Sequence, residues 1–365
     1  MSDIRFETVG RAGLITLSRP KALNALSEPM VLEMSDALDE WADDDRIHRV
    51  AIRAEGKAFC AGGDVRDVHQ RRAGALDFFA AEYQMNTRVK QFPKPYVALI
   101  DGICMGGGVG VSMHGTHRIA SENIVFSMPE VGIGLFPDVG ASHLLSALAG
   151  EAGMYLALAG ARLGRDDAAA LGLVTHPTLS DRLDDALDRT AHARDLDRAL
   201  DELPERTAPR DPQQAAVIER CFSGTGVGAI LDALDDVATG KAATENAFSE
   251  AERDFAKSVA ATIRTKSPTS LCVTFEEIRR ARGLPFEDAI RTEFRIVSQI
   301  IDGHDLYEGI RAVLIDKDHA PRWSPATLDG VDPEFVEAHF AEPGHGDLHL
   351  PSGQSQPASP TVPAR

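Results

Sequence analysis

Apolar and polar residues alternate with two different periods along the first half of the chain. Residues 13–18 and 49–54 are short runs rich in apolar and β-branched residues, which predict strands. Between them, residues 27–45 place apolar side chains at helical spacing after Ser27, which predicts a helix with a serine N-cap. Similar units follow, with a small-residue helix predicted over 107–115 and another helix over 141–163. These crossover units predict a layered α/β domain over residues 1–180.

The pattern changes after about residue 180. Residues 181–213 are rich in Asp, Arg and Ala and nearly lack β-branched residues, which predicts a solvated, acidic helical connector. Residues 214–342 contain several further helical periods and predict an all-α region. From 343 to 365 Pro, Ser and Gly predominate, so we expect a mobile tail that contributes little to the core.

Composition and charge narrow the classes of function. The 365 residues are 43% hydrophobic and 26% charged, as is usual for soluble globular proteins. With 56 acidic and 38 basic side chains, the formal net charge of −18 argues against a nucleic-acid or membrane partner. Any phosphate-bearing ligand therefore needs a local basic patch or backbone N–H groups.

The cysteines are too far apart for a zinc ribbon or a disulfide framework, so reduced thiols are expected. They are Cys60, Cys104, Cys221 and Cys272. The first ten residues include acids and no apolar segment, and no run reaches the roughly 18 apolar residues that a spanning helix needs. We therefore expect a cytoplasmic protein without a targeting segment.

Two glycine-rich segments each follow a predicted strand and precede a predicted helix. They are KAFCAGGD at 57–64 and CMGGGVG at 104–110. Glycine lets a ligand approach the backbone closely, and N–H groups at a helix start could bind an anion or an oxyanion. The structural alternative is tight turns with close helix packing. Neither segment has the spacing of a dinucleotide fingerprint or of a Walker loop.

A third segment, residues 128–140, carries two carboxylates among apolar residues. Glu130 and Asp138 lie eight positions apart without a cationic neighbour in sequence. Partial desolvation would raise their pKa values and suit acid–base chemistry. Alternatively, Asp138 caps a helix that begins near residue 141 while Glu130 is solvated. His114 and His117 offer two imidazoles without a third ligand, so we predict structural roles for them and no metal.

These motifs together resemble the crotonase superfamily of acyl-CoA enzymes, and more closely its 3-hydroxyisobutyryl-CoA hydrolase branch. The resemblance rests on residues 20–26, 57–64, 78–86, 95–110, 128–140 and 308–323. It implies an α/β fold: a crotonase-like spiral of ββα units with two perpendicular sheets, followed by a helical C-terminal region that closes the site.

The resemblance also implies roles for individual residues. The backbone N–H groups of Gly63 and Gly107 would form an oxyanion hole for the thioester carbonyl. Glu130 would be the main catalytic carboxylate, either attacking the carbonyl to give a mixed anhydride or taking a proton from water. Asp138 would assist, by bonding the substrate's β-hydroxyl or protonating the departing thiolate, and Glu82 would contact the substrate.

The same resemblance implies which residues contact the CoA portion of the substrate. Because CoA is part of the substrate, no separate cofactor is expected. The backbone around Ala22, Ala61 and Val65 would contact the adenine and the pantetheine arm. The cations for the phosphates would come from Arg19, Lys21 or Arg66. Oligomeric state stays open, and a homo-oligomer is compatible with the resemblance.

The expected reaction is hydrolysis of a short-chain 3-hydroxyacyl-CoA, namely 3-hydroxyisobutyryl-CoA, in valine catabolism. Hydratases of the superfamily use two glutamates, and Gly110 occupies the position of one of them. Asp138 stands where hydratases usually have glycine, so adding water to a double bond lacks one of its usual partners. Two alternatives stay open: a hydratase or isomerase that uses Glu130 alone, and a non-catalytic acyl-CoA binding protein.

Overall fold

The strands form two separate sheets. A computed structural model describes residues 2–203, 205–241 and 248–351. The strands it contains are β1 (Ile4–Val9), β2 (Ala12–Leu17), β3 (Arg49–Ala54), β4 (Ala58–Cys60), β5 (Tyr96–Ile100), β6 (Ile103–Met105), β7 (His117–Ala120), β8 (Val125–Ser127) and β9 (His176–Pro177).

The chain passes repeatedly from one sheet to the other. The larger sheet has the order β1-β2-β3-β5-β7-β9 and is parallel except for the β1–β2 hairpin. The smaller sheet has the order β4-β6-β8 and is parallel. Strands β3, β5 and β7 each continue after a short loop into β4, β6 and β8. This alternation, with helices between successive pairs, confirms the α/β spiral of ββα units.

Helices surround the sheets in the first two hundred residues. They are α1 (Glu28–Asp43), α2 (Val65–Arg71), α3 (Leu76–Gln91), α4 (Gly107–Gly110), α5 (Ala141–Ser146), α6 (Ala152–Ala159), α7 (Arg165–Ala170), α8 (Leu183–His192) and α9 (Leu196–Leu200). The helix predicted from the apolar spacing of residues 27–45 is α1, which buries Met30, Met34 and Leu38 on one face. Ser27 stands at its N-cap, although its side chain makes no capping hydrogen bond.

The rest of the described chain is helical, as predicted. Its helices are α10 (Pro212–Phe222), α11 (Val227–Thr239), α12 (Glu250–Ile263), α13 (Pro268–Ala281), α14 (Phe286–Ile300), α15 (Asp305–Ile310) and α16 (Pro333–Ala338). A π-helical turn, Arg311–Ile315, follows α15. Local sequence signals explain several starts: Ser249 and Glu252 form a capping box at α12, and Ser267 caps α13.

Two helix predictions were too long. The helix expected over 107–115 ends at Gly110. The helix expected over 141–163 is divided into α5 and α6, and Gly150 between them adopts a φ of +64°, a left-handed conformation that interrupts a right-handed helix.

The expected solvated connector over 181–213 has a buried side. Ala186 of α8 packs with Leu196 and Leu200 of α9 against Val97 and Ile119 of the larger sheet, in a second hydrophobic cluster. The acidic residues lie on the opposite, solvated side. The composition of this stretch therefore indicated the solvated face of each helix but not the buried face. This stretch covers one face of the larger sheet.

The first part of the expected mobile tail is packed. Leu348 is 5% exposed, Asp347 pairs with Arg295 of α14, and the His349 carbonyl accepts from Gln84 of α3. The expectation of little core is therefore wrong for residues 343–351, because one leucine and one ion pair dock them on two helices. Residues 352–365 lie outside the described residues.

Two expectations from the sequence concern the cysteine thiols and membrane-spanning helices. All four cysteines are free thiols. Within the ranges described above, no helix is both long and apolar enough to cross a membrane.

Candidate active site

A cavity of about 480 Å³ lies between the ββα spiral and the C-terminal helices. Its walls come from the turns after β4 and β6, from α3, from the segment that follows β8 and from the π-helical turn. Seven of the residues predicted from the sequence lie in its lining: Ala61, Gly63, Val65, Glu82, Gly107, Glu130 and Asp138.

The two glycine segments bring their backbones together at the floor of this cavity. A Cβ atom on Gly107 would lie 2.5 Å from Oε1 of Glu82 and 3.2 Å from the nitrogen of Gly63, so a side chain there would displace Glu82 and press on the facing backbone. Gly62 and Gly106, which precede the two donors, have φ values of +118° and +49°. Within the described ranges, neither the Gly63 nor the Gly107 N–H has a protein acceptor. Both groups are therefore available to a ligand's carbonyl oxygen.

Two glutamates in the lining are deeply buried. Glu130 opens the 3-10 turn Glu130–Ile133 and is 6% exposed, while Glu82 of α3 is 2% exposed. Burial, with a smaller contribution from the neighbouring Asp138, raises the pKa of both carboxyls well above the usual range. Among the described residues, Glu130 Oε2 and Glu82 Oε1 have no hydrogen-bond partner. These oxygens are therefore free to meet water or substrate.

Asp138 is held by a hydrogen bond from α3. Its Oδ2 accepts from the Tyr83 hydroxyl at 2.8 Å, and burial raises its pKa to about 7 although the Tyr83 bond opposes the shift. It is not a helix cap, because Gly140 is the N-cap of α5 and Asp138 contributes only its backbone carbonyl, to Ala141 N at 3.0 Å. The capping alternative, and with it a solvated Glu130, is wrong.

The space beside Gly110, where the resemblance to hydratases would place a second glutamate, is filled from α3. A Cβ on Gly110 would lie 2.7 Å from Oδ1 of Asn86 and 2.9 Å from Cβ of Val139. Asn86 is fully buried, and its side-chain amide has no partner among the described residues. Space for a longer side chain at position 110 would require both neighbours to move.

Three basic residues line the cavity, and sequence reasoning missed all of them: Arg162, Lys266 and His319. Lys266 is half-buried, burial lowers its pKa, and it makes no ion pair within the described ranges. It stands in a short loop between α12 and α13, without a glycine run or a motif. No local pattern could have indicated its place in the site.

The cations expected to meet phosphates lie outside the lining. Arg19 pairs with Asp64 at 2.8 Å, and Arg66 donates to the Leu314 carbonyl at 2.6 Å. Lys21 is exposed on the 3-10 turn Pro20–Ala22, which also carries Ala22. That turn lies beside the cavity wall, since Ala61 N donates to the Leu23 carbonyl at 3.0 Å.

The two histidines singled out in the sequence are separated, as their structural interpretation requires. His114 Nε2 donates to the Val139 carbonyl at 2.7 Å, whereas His117 contacts Asp197 at 2.9 Å. In the part of the chain that the structure describes, no cluster of three or more His, Cys, Asp or Glu residues could hold a metal ion.

The arrangement supports chemistry on a carbonyl compound. Two unpaired N–H donors face the cavity beside a desolvated carboxyl that could accept a proton or attack a carbon atom. Phe78, Phe79 and Leu135 supply an apolar wall that limits water.

Comparison with known proteins agrees with this chemistry. The model of the enoyl-CoA hydratase/isomerase family matches residues 12–340. A Danio rerio protein named 3-hydroxyisobutyryl-CoA hydrolase, mitochondrial, is 41% identical and covers 96% of this chain and 92% of its own. The Arabidopsis thaliana 3-hydroxyisobutyryl-CoA hydrolase 1 is 38% identical, with 98% and 96% covered. The crystal structure of a carnitinyl-CoA dehydratase from Mycobacterium thermoresistibile matches with a TM-score of 0.86 at 38% identity, covering 95% of this chain and 98% of that one.

The expected cytoplasmic location is contradicted by these relatives. The Danio rerio protein and other vertebrate relatives carry the word mitochondrial in their names. Free thiols and an acidic composition are equally compatible with any reducing aqueous compartment, so they could not distinguish one such compartment from another.

Proposed function

Since the chain belongs to the enoyl-CoA hydratase/isomerase family, we propose that it hydrolyses the thioester bond of a short 3-hydroxyacyl-CoA. The substrate is 3-hydroxyisobutyryl-CoA, and the products are 3-hydroxyisobutyrate and free CoA, a step of valine degradation. Relatives in Danio rerio and Arabidopsis thaliana that match nearly the whole chain carry the name of this hydrolase.

One observation favours hydrolysis over hydration. The side chain of Asn86 fills the space that a glutamate at position 110 would need, while Glu130 and Asp138 both line the cavity. Water addition to a double bond lacks the second glutamate that hydratases of the superfamily carry at the position of Gly110, whereas thioester hydrolysis needs one base or nucleophile and an oxyanion site. The residues present therefore fit the hydrolase.

The proposed reaction begins with the thioester oxygen accepting hydrogen bonds from the N–H groups of Gly63 and Gly107. Glu130 then removes a proton from a water molecule that attacks the carbonyl carbon, or attacks that carbon itself to form an anhydride that water opens. The C–S bond breaks, and its electron pair leaves with the CoA sulfur. Asp138, whose pKa burial raises to about 7, is present in both protonation states near neutral pH, and its protonated form supplies the proton that converts this thiolate to a thiol.

Selectivity for the 3-hydroxyl group follows from the same carboxyls. A buried hydroxyl needs an acceptor, and the free Oε1 of Glu82 is available in the lining together with Asp138. An acyl group without the hydroxyl leaves these carboxyl oxygens unpaired. We therefore expect the unsubstituted acyl-CoA to react more slowly.

The direct test is thiol release across short acyl-CoAs with and without a 3-hydroxyl, measured with a thiol reagent on purified protein. The proposal requires release from 3-hydroxyisobutyryl-CoA and slower release from isobutyryl-CoA. Hydration or isomerisation of an enoyl-CoA without thiol release would support the alternative suggested by the Mycobacterium thermoresistibile dehydratase. Binding without any turnover would support an acyl-CoA binding protein.

We also propose that Arg162 and Lys266 meet the phosphates of CoA. They are cations in the lining of a protein whose net charge is −18, and Lys266 has no acidic partner within the described residues. Phosphate oxygens would provide the charge-assisted hydrogen bonds that its half-buried ammonium group lacks.

The change Lys266→Gln tests this assignment. We expect KM for 3-hydroxyisobutyryl-CoA to rise about tenfold, because one charge-assisted hydrogen bond is lost. The N-acetylcysteamine thioester of the same acid has no phosphate, so its kcat/KM should stay at the wild-type value. Lys257→Gln, an exposed lysine of α12, is the matched control. Equal losses with both thioesters would place Lys266 at the acyl group instead.

A further inference from the structure

The backbone between Asp138 and α5 adopts a conformation that its own residues disfavour. Val139 has a φ of +60° and Gly140 a φ of +81°. A β-branched residue rarely occupies the left-handed region, and such a residue persists there only when its surroundings hold it. The conformation matters because it sets the direction in which the Asp138 carboxyl leaves the main chain.

A buried glutamate from the C-terminal region holds this turn. Glu293 of α14 is fully buried, and its Oε2 accepts from Gly140 N at 2.6 Å. Its Oε1 accepts from Ser142 N at 3.1 Å and from the Ser142 hydroxyl at 2.5 Å. One carboxyl group thus receives three hydrogen bonds from the residues that immediately follow Asp138.

Two further contacts fix the same turn from outside. The carbonyl of Val139 accepts from His114 Nε2 at 2.7 Å. A Cβ on Gly140 would lie 2.5 Å from the ring of Phe286, which belongs to the same helix as Glu293. The turn is therefore enclosed by α14 and by His114, and it cannot relax without breaking the contact to Glu293, which is 153 residues away in sequence.

We propose that Glu293 is a positioning residue for Asp138. By holding the 139–142 turn, it fixes the Asp138 carboxyl against the Tyr83 hydroxyl and toward the cavity. Glu293 itself is absent from the cavity lining, so it acts through the turn and makes no contact with substrate. The inference rests on the proposed hydrolase function only where turnover is the readout.

A purely structural role makes different predictions. If Glu293 only stabilises the fold, its loss lowers the melting temperature, and the folded fraction keeps its full kcat. A positioning role lowers kcat in folded protein and leaves KM near the wild-type value, because the CoA contacts are untouched. It also requires that Glu293 and Asp138 depend on each other.

The experiment is a double-mutant cycle on thiol release with Glu293→Gln, Asp138→Asn and their combination. In Glu293→Gln one acceptor oxygen becomes a donor amide, so the turn loses at least one bond. We expect kcat to fall about 10- to 100-fold, as for a displaced catalytic group. In the Asp138→Asn background the same change should have little further effect. Glu287→Gln is the matched control, since Glu287 lies on the same helix but accepts a hydrogen bond from Gln91 and none from the turn.

Full kcat per folded Glu293→Gln protein, or a loss that simply multiplies with that of Asp138→Asn, would overturn the proposal. Should Glu293→Gln fail to fold, Ser142→Ala removes only the hydroxyl bond, and the proposal then requires a smaller loss of kcat at unchanged KM. Should wild-type protein release no thiol, the proposed function fails, and a crystal structure of Glu293→Gln still decides this inference. The proposal requires a broken Tyr83–Asp138 contact there, and an intact contact would contradict it.

Discussion

At the scale of single residues, the site depends on carboxyls that are removed from water. Glu130 is a stronger base than an exposed glutamate, because burial and the neighbouring Asp138 disfavour its charged form. The cost is that a smaller fraction of the protein carries the ionised base at a given pH. In the proposed reaction, the unpaired N–H groups of Gly63 and Gly107 stabilise the negative charge that forms on the substrate oxygen.

Replacing Glu130 with Gln tests the central carboxylate. We expect thiol release to fall by a factor of roughly 100 or more, because the amide can neither accept the water proton nor attack the carbonyl. Acyl-CoA binding, measured by calorimetry, and the melting temperature should be retained. Turnover close to wild type in folded protein would remove Glu130 from the mechanism.

The pH dependence of kcat/KM gives a second test at this scale. Glu130 must be ionised, so kcat/KM should fall as the pH drops through its raised pKa. The charge of Asp138 contributes to the raised pKa of Glu130. Asp138→Asn should therefore move the acidic limb of the kcat/KM profile to lower pH. An acidic limb that stays in place in the variant would show that the titrating group is not Glu130 beside Asp138.

The sequence identified the residues that carry a pattern, and it missed those that do not. Gly63, Gly107, Glu130 and Asp138 belong to motifs whose residue types the chemistry requires. Lys266 and Arg162 reach the cavity from distant loops, and Asn86 opposes Gly110 only because α3 packs there. Such contacts depend on tertiary packing, which no local pattern encodes.

At the scale of elements, α3 and α14 carry the functions that the motifs do not explain. Helix α3 presents Glu82, Tyr83 and Asn86 to the cavity, to Asp138 and to Gly110 respectively. These positions lie on one side of the helix, because residues four apart share a face. Helix α14 reaches the turn after Asp138 through Glu293, so the C-terminal region helps to build the site.

The contact between α14 and the turn should be visible as a pH-dependent stability. Burial raises the pKa of Glu293 from 4.5 to about 8, so the folded state holds a proton that the unfolded state releases. This contribution is complete below about pH 4.5 and is lost as the pH rises through about 8.

The measurement is the melting temperature of wild type and of Glu293→Gln between pH 5 and pH 9. Gln cannot titrate, so we expect the advantage of wild type over the variant to shrink as the pH rises. Asp329→Asn, at an exposed position, is the control for replacing a carboxyl group by an amide. If the difference in melting temperature between wild type and Glu293→Gln stays constant with pH, the pKa of Glu293 is not raised.

The boundaries of helices and strands were predictable where the hydrophobic period is strong and the segment begins or ends at a recognisable residue. Helix α1 and strands β2 and β3 lie within one or two residues of their predicted limits. The break at Gly150 was missed, because a left-handed glycine within a helical pattern cannot be recognised until its φ is known.

At the scale of the whole molecule, the chain combines a strongly negative net charge with a cavity whose lining includes three basic residues. The net charge of −18 repels an anionic CoA ester at long range, and in our proposal Arg162 and Lys266 attract it locally. In the proposed site, the spiral supplies the oxyanion donors and Glu130, and the helical region supplies Lys266 and the support of Asp138. Neither half holds a complete site.

The fold class was predictable because motifs of the spiral occur in order along the chain. The packing of residues 181–213 and 343–351 was not, because their composition is polar and only a few apolar residues dock them. A single buried leucine hardly changes the composition of a segment, so composition does not reveal this kind of packing.

The most direct measurement compares two reactions in one preparation. Thiol release from 3-hydroxyisobutyryl-CoA and hydration of the matching unsaturated ester, 2-methylpropenoyl-CoA, are followed with wild type and with Glu130→Gln. We expect wild type to release thiol from the hydroxy ester without hydrating the unsaturated one, and Glu130→Gln to do neither. Efficient hydration without thiol release would contradict the account.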